Sequence, residues 1–179
     1  MAETSDRNHR NTQNSVDLAM VFEPVYLNEL QILMLKDQQM YAIMPAGHPL
    51  AMKKELKLSD CNEYPLALPT SDYGVRKLLD FKANRSMLDI SPAVESDSFE
   101  FLRNLVINEG CITFQIEIGL PKIMQELGLT ARPLSKKDIS AGCMYLVQNK
   151  NRALPTAAAR FAEQIMHSLE VDVDYTRDH

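Results

Sequence analysis

Two short polar segments of this sequence carry the residue types that bind small anions. Residues 70–74 (TSDYG) follow an apolar run at 65–68, and residues 96–98 (SDS) follow a run at 92–95. Each segment places hydroxyl groups at the start of a predicted helix, where free N–H groups and the positive end of the helix dipole favour a carboxylate or another anion. Serine and aspartate are also common helix caps, and for each segment alone capping is the favoured interpretation.

The other reactive side chains form no catalytic or metal-binding pattern. His48 lies in a turn rich in glycine and proline, without a serine or cysteine nucleophile in a recognisable arrangement, so it is interpreted as a turn histidine. Cys61, Cys111 and Cys143 are far apart and are expected to be reduced thiols of a cytoplasmic protein. The sequence contains no glycine-rich phosphate loop, dinucleotide-binding fingerprint, GxSxG or HExxH motif. No enzymatic activity, cofactor or metal is therefore expected.

Strands that alternate with helices would position the two polar segments. Strands predicted at 65–68, 92–95 and 111–114 alternate with helices that begin after residues 74 and 98. This alternation favours parallel sheets with crossover helices, in which ligands bind beyond the carboxyl ends of the strands. At the second helix, Asp97 with Glu100 three residues later resembles a capping box, and Gly110 is placed where the helix would stop.

The flanking pieces of the chain are expected to form a second lobe that the first interrupts. The last helix begins at Pro155, a residue favoured in the first turn. The other predicted elements are strands at 17–22, 30–35, 40–44, 130–134 and 144–147, a short helix at 121–127, and an apolar face of the last helix made of Ala158, Phe161, Ile165 and Leu169.

The composition of the chain argues against two classes of partner, nucleic acids and membranes. The chain has 179 residues and a formal net charge of -5, so its surface repels nucleic-acid backbones. No apolar run approaches the ~18 residues of a membrane span, and no membrane association is expected. Residues 1–14 are polar, do not resemble a secretory signal, and are predicted to be disordered.

Several segments, in this order and spacing, resemble the effector-binding domain of LysR-type transcriptional regulators. The most specific is the run at 40–51 (MYAIMPAGHPLA), which contains the family's strand followed by HPLA. At 105–113 (LVINEGCIT) the helix-to-strand turn departs from the family pattern, because Glu109-Gly110-Cys111 replaces Gly-x-Gly. The remaining matches are residues 15–20 (SVDLAM), 56–61 (LKLSDC) and 152–161 (RALPTAAARF).

The resemblance implies an α/β, two-lobed, periplasmic-binding-protein-like fold of type 2, with the second lobe inserted in the first. Regulatory lobe I is expected at 15–58 and 139–170, lobe II at 59–138, and a tail at 171–179. Lobe I is expected to be incomplete, because the family's first strand and helix have no counterpart here. The family's helix-turn-helix reader of DNA is absent as well, so DNA is expected to be bound only through that missing domain.

The resemblance also implies a small, usually anionic effector held in the cleft between the lobes. It raises the anion interpretation above capping for Thr70 and Ser71. A negative charge at Glu23 would stand where an anionic ligand approaches. The residues expected to bind the effector are Pro69, Thr70, Ser71, Asp72, Gly74, Ser96, Ser98, Phe22, Glu23, Phe114 and Gln115.

A homo-oligomer, which in the family is a dimer or tetramer, is the expected state, because an incomplete lobe would expose a sheet edge and an apolar face. The alternative function is a stand-alone solute-binding protein of the same fold, against which the missing signal peptide counts. An enzyme on this fold is disfavoured, because the patterns of a nucleophile, a base and a metal site are missing.

Overall fold

The computed structural model describes residues 16–22, 28–139 and 142–175, with side chains described as far as residue 169. The chain divides into two compact units: a larger unit of residues 37–142, and a smaller unit that combines the chain before and after it. Along the chain, the larger unit thus interrupts the smaller one. It begins before residue 59, because the strand at Met40–Pro45 pairs with two strands inside it. The lobe bounds expected from the sequence, 59–138 among them, stay a prediction. The predicted polar segment at 1–14 lies outside the described residues.

The larger unit is built on two sets of strands. Strand β3 (Met40–Pro45) lies between β6 (Thr113–Ile116) and β7 (Leu129–Pro133) and is antiparallel to both. Strand β4 (Ala67–Pro69) pairs in parallel with β5 (Val94–Ser96). A parallel bridge between Leu66 and Ile112 joins the two sets, so the strands follow the order β5-β4-β6-β3-β7.

The parallel arrangement predicted for the strands at 65–68, 92–95 and 111–114 is confirmed by the β4–β5 pair and the Leu66–Ile112 bridge. Strand β3, for which the sequence predicted no direction, is antiparallel to both of its neighbours. Met40, Ala42 and Met44 on one face of this strand and Ile43 on the other are all buried. A strand buried on both faces is apolar throughout, whichever direction its neighbours run. The alternation of strands and helices specifies direction only from β4 to β6, where helices make the connections.

Two helices make those connections, and each buries one apolar stripe. Helix α2 (Gly74–Arg85) follows β4 and buries Val75, Leu79 and Ala83, which are spaced four residues apart. Helix α3 (Phe99–Glu109) follows β5 and buries Leu102 and Val106. The predicted stop of α3 is confirmed, because Gly110 has a φ of 69°, a left-handed conformation that glycine adopts without strain.

Around β3 the core is continuous with the loop after β6. Ile43, Val106 and Leu129 form a buried cluster, against which Leu120, Met124 and Leu127 pack. The helix predicted at 121–127 is wrong, since this segment forms consecutive turns. Helix α1 (Leu58–Cys61) is a single turn, and a 3-10 turn spans Pro49–Met52.

The smaller unit is a three-stranded sheet with the last helix. Strand β8 (Gly142–Asn149) lies between β1 (Leu18–Phe22) and β2 (Leu30–Gln38) and is antiparallel to β1. Helix α4 (Thr156–Tyr175) runs past the predicted tail boundary at 170. Lys36 Nζ donates to the carbonyl of Leu169 at 2.5 Å, which ties β2 to this helix.

The apolar face predicted for α4 is wrong at one position. Phe161 is 58% exposed, whereas Ala162 is 3% exposed. Ala158, Ile165 and Leu169 are half-buried as predicted. Positions 158, 162, 165 and 169 follow the helical period, and residue 161 is turned about 100° from its neighbour 162 on a helix of 3.6 residues per turn. None of the described helices is long and apolar enough to cross a membrane.

Candidate functional site

The two polar segments predicted from the sequence lie side by side at the carboxyl edge of β4 and β5. Pro69, the last residue of β4, is opposite Ser96, the last residue of β5. The N–H of Thr70 donates to the carbonyl of Ser96 at 3.2 Å, so the pairing continues into the loops. Both loops then enter helices, α2 and α3, whose N-termini start from this edge.

Hydroxyl groups of the second loop are used in capping. Ser98 is the N-cap of α3, and its Oγ accepts from the N–H of Phe101 at 3.2 Å. Ser96 Oγ accepts from the N–H of Ser98 at 3.1 Å. The capping interpretation is confirmed for Ser98, whereas the predicted box of Asp97 with Glu100 is wrong by one residue. Ser98 is the residue with extended backbone directly before the helix, which brings its hydroxyl to the N–H three residues later.

The N-terminus of α2 differs, because none of the described side chains caps it. Its N-cap is Tyr73, whose side chain makes no capping bond, and the N–H of Tyr73 donates to the carbonyl of Thr70 at 3.1 Å. Ser71 and Asp72 are exposed and Thr70 is half-buried. The N–H groups of the first turn therefore keep their capacity to bind an acceptor, beside two hydroxyl-bearing side chains.

Tyr73 fixes the separation of the two loops. Its hydroxyl donates to the carbonyl of Asp97 at 2.8 Å, and its ring meets the ring of Phe99 edge-on, with centroids 5.1 Å apart. One side chain of the first loop thus holds the backbone and the first helical residue of the second loop.

Arg76 is a residue of this edge that the sequence analysis did not single out, because the helical period places it with Lys77 and Asp80 away from the apolar stripe of Val75 and Leu79. Its side chain is only 11% exposed. Nη1 donates to the carbonyl of Pro69 at 3.1 Å and pairs with the carboxylate of Glu95, while Nε donates to Asp80 Oδ1 at 2.8 Å. The signal available in the sequence was the Arg76–Asp80 spacing of four residues, which is typical of an ion pair on one helix.

Electrostatics give Arg76 a positioning role. Burial acts to lower the pKa of its guanidinium, but the hydrogen bonds to Glu95 and Asp80 outweigh it and raise the pKa overall. Two carboxylates already balance its charge. Arg76 therefore holds the end of β4 against β5 and α2 and does not offer its charge to a ligand.

The other residues expected to bind the effector differ in burial and in the unit to which they belong. Phe114 is fully buried and Pro69 is buried, so neither side chain reaches the surface of the edge. Gln115 is 8% exposed, and its Oε1 accepts from the N–H of Ile116 at 3.0 Å. A Cβ on Gly119 would lie 2.5 Å from Cδ of Gln115, so this glycine makes room for the amide. Phe22 ends β1 in the smaller unit, half-buried, and Glu23 lies outside the described residues.

The reactive side chains outside this edge have structural surroundings. His48 Nδ1 accepts from the N–H of Leu50 at 3.2 Å, and its ring packs edge-on against Tyr64 at 4.4 Å, which confirms a turn histidine. Burial raises the pKa of the Cys61 thiol to about 12, and it raises that of Cys111. Within the described ranges, no group of three or more acidic, histidine or cysteine side chains could hold a metal ion.

Comparison with known proteins places this fold in a family. A family model described as "LysR substrate binding domain" matches residues 2–170. The effector-binding domain of QuiR in complex with shikimate has 18% sequence identity and a TM-score of 0.71, covering 91% of this chain and 76% of that one.

Two further structures give the same result. The regulatory domain of CcmR from Synechocystis PCC6803, in complex with 2-PG, has 19% identity and a TM-score of 0.77, with 93% and 79% of the two chains covered. The C-terminal domain of a probable LysR family regulator from Rhodococcus sp. RHA1 has 18% identity and a TM-score of 0.72, with coverages of 93% and 81%. At this identity the likeness establishes the fold.

Proposed function

Because the chain belongs to the LysR substrate binding domain family, we propose that the carboxyl edge of β4 and β5 binds a small organic anion as the effector of a transcriptional regulator. The observation that carries this proposal is the N-terminus of α2. It lacks a side-chain cap, although the neighbouring helix α3 has one. A carboxylate of the effector would take the place of that cap.

The chemistry of the edge favours an anion over a neutral ligand. First-turn N–H groups and the helix dipole favour negative charge, and the hydroxyl groups of Thr70 and Ser71 can donate to it. Asp72 is exposed in the same loop and opposes a second negative charge nearby. An effector with one carboxylate and a neutral, hydroxylated or apolar body therefore suits the edge best.

Two of the similar structures hold a small organic anion. QuiR holds shikimate, whose single carboxylate on a hydroxylated ring matches this chemistry, whereas the 2-PG of CcmR also carries a phosphate and supports only the broader expectation of an anion. Both are described as effector-binding or regulatory domains, which favours a sensor over the alternative of a stand-alone solute-binding protein. Regulation without turnover is the expected behaviour, so an effector should be released unchanged.

The remaining parts of the proposal concern the assembled regulator. We expect the regulator to be a cytoplasmic homo-oligomer that contacts DNA through a helix-turn-helix domain. Effector binding would then shift the balance between two arrangements of the oligomer.

A ligand screen with matched variants tests the site. The melting temperature of the protein is measured with shikimate, benzoate and other monocarboxylic acids, and each acid that raises it is titrated by calorimetry. Thr70→Val should weaken binding about tenfold or more, because a hydrogen bond to a charged group contributes ~1.5–3 kcal/mol. Ser59→Ala, an exposed hydroxyl on α1, serves as the control and should leave the affinity unchanged.

Three outcomes would count against the proposal. Absence of any shift with millimolar monocarboxylates would argue against an anion site. An acid that binds Thr70→Val as tightly as the unmodified protein would place its site elsewhere. Recovery of a chemically altered acid after incubation would contradict the sensor and favour an enzyme.

A further inference from the structure

The outward face of α2 carries an aromatic side chain that the core of the larger unit does not use. Phe81 is 56% exposed, while Leu79 and Ala83 of the same helix are buried. Lys82 Nζ lies 5.8 Å and Arg85 Cζ 5.9 Å from the centroid of the Phe81 ring. Both cations are within the ~6 Å over which a ring face attracts positive charge. The Phe81 ring is therefore both exposed to solvent and flanked by two cations.

Positive charge on this face is not neutralised locally. Lys77, Phe81 and Arg85 are four residues apart, so they follow one another on successive turns of the helix. Across the described part of the chain, Lys77, Lys82 and Arg85 make no salt bridge. Arg76, by contrast, is paired with two carboxylates. The face is thus locally basic on a chain whose net charge is -5.

A second apolar side chain follows directly after the helix. Met87 is 94% exposed and has a φ of 52°, a left-handed conformation that is costly for residues with a side chain. A surface cleft of about 460 Å³ adjoins it, and its lining is mixed: Ala83, Leu88 and Ile90 are apolar, whereas Arg76, Asp80, Asn84 and Asp89 are polar or charged. The apolar contact offered to a partner on this face is therefore made by the exposed side chains of Met87 and Phe81.

We propose that the surface formed by Lys77, Phe81, Lys82, Arg85 and Met87, the α2 patch, docks an acidic segment of a partner protein that carries a large apolar side chain. An aromatic centre with a charged rim is the arrangement of a binding hot spot. Because these cations make no salt bridge among the described residues, they favour a partner of negative charge: complementary charge speeds association and disfavours partners of like charge.

Two other occupants fit the patch less well. A nucleic acid brings many phosphates to a chain with a net charge of -5, and three cations on one helix neutralise few of them. A second copy of this chain that docked here through a two-fold symmetric contact would place the same basic patch against itself, and the like charges would repel each other. A short acidic segment meets only the basic patch and avoids both penalties.

Fluorescence anisotropy at low salt tests the proposal with a defined probe. The probe is a labelled peptide of glutamates around a central phenylalanine, and the comparison peptide has alanine in place of that phenylalanine. The doubly substituted Lys77→Glu, Arg85→Glu protein should bind the probe at least about tenfold more weakly. Lys136→Glu with Lys137→Glu makes the same change in net charge at exposed positions elsewhere and should change the affinity by less than about twofold.

The apolar part of the patch has its own variants. Phe81→Ala should weaken binding of the phenylalanine-containing probe but change binding of the alanine peptide much less. Met52→Ala, which removes another exposed apolar side chain, should leave the binding of both peptides unchanged. Circular dichroism of each variant confirms that it is folded.

Three results would overturn the proposal. The first is equal weakening by the patch and control substitutions, which would mean non-specific charge attraction. The second is tighter binding of a labelled single-stranded oligothymidylate that the patch substitutions abolish, which would assign the patch to nucleic acid. The third is self-association that Phe81→Ala abolishes, with no binding of the peptide, which would assign it to a second copy.

Discussion

Replacing Arg76 by methionine should destabilise the protein more than its outward position on α2 suggests. The substitution keeps most of the aliphatic stem but removes the guanidinium. It therefore deletes the hydrogen bond to the carbonyl of Pro69 and the contacts with Asp80 and Glu95. The neighbouring Lys77→Met substitution removes an exposed cation without a salt bridge and is the matched control.

The magnitude follows from the exposure of the partners. The side chains of Asp80 and Glu95 are 39% and 46% exposed, so water screens each pair, and each contributes ~0.2–1 kcal/mol. The bond to the carbonyl of buried Pro69 is charge-assisted, and losing it costs ~1.5–3 kcal/mol. The free energy of unfolding should fall by ~2–5 kcal/mol in total, whereas Lys77→Met should change it by less than ~0.5 kcal/mol.

Urea unfolding followed by circular dichroism measures this difference. The midpoint should fall with little change in the slope, because the surface exposed on unfolding is nearly the same. Arg76→Lys should recover part of the loss, since an ammonium can contact one partner but not all three. If Arg76→Met lowers the free energy of unfolding no more than Lys77→Met does, the guanidinium does not hold the carboxyl edge together.

Three further predictions concern single positions. Gly119→Ala should lower the free energy of unfolding by ~1–2 kcal/mol, because the new Cβ would lie 2.5 Å from Cδ of Gln115 and push its amide away from the N–H of Ile116. Thermal unfolding checks this. The control is Gly47→Ala, where nothing lies within 4 Å of the new Cβ. Met87→Gly should raise the free energy of unfolding by ~0.5 kcal/mol, since the strain relieved in the left-handed backbone exceeds the entropy cost of glycine. A free energy of unfolding below that of the unmodified protein, measured by urea titration, would contradict this. Burial lowers the pKa of His48 below its ordinary 6.5, so the neutral imidazole contributes fully to stability above pH 6.5, and this contribution is lost as the pH falls through the folded-state pKa. His48→Asn should therefore make the free energy of unfolding depend less steeply on pH. An unchanged slope of that free energy against pH would contradict the prediction.

Much of the fold could be predicted because buried stripes and breakers leave local signals. The spacing of Val75 and Leu79, and the glycine at 110, indicate α2 and the end of α3 directly. Strand direction at β3 could not be predicted, because a fully buried strand is apolar in either direction. Phe161 was misplaced because the apolar positions of α4 also fit a phase that differs by one residue.

The candidate site could be predicted in part for similar reasons. Hydroxyl-rich turns after strands are visible in the sequence, and their adjacency follows from the parallel pairing of β4 and β5. The sequence could not show which serine caps α3, since that depends on the backbone angles of Ser98. Nor could it show the role of Arg76, because a long side chain can turn back toward the sheet from a partly outward position.

The way in which Tyr73 joins the two loops has a consequence for how this family of sites can diverge. The loop is held by its backbone, by the Tyr73 hydroxyl and by Arg76, while Ser71 and Asp72 are exposed beside it. Substitutions at 71 and 72 therefore alter the chemistry offered to a ligand at little cost in folding stability. Selection can exchange one effector for another here without first having to repair the scaffold, which makes the specificity of the edge evolvable independently of its architecture.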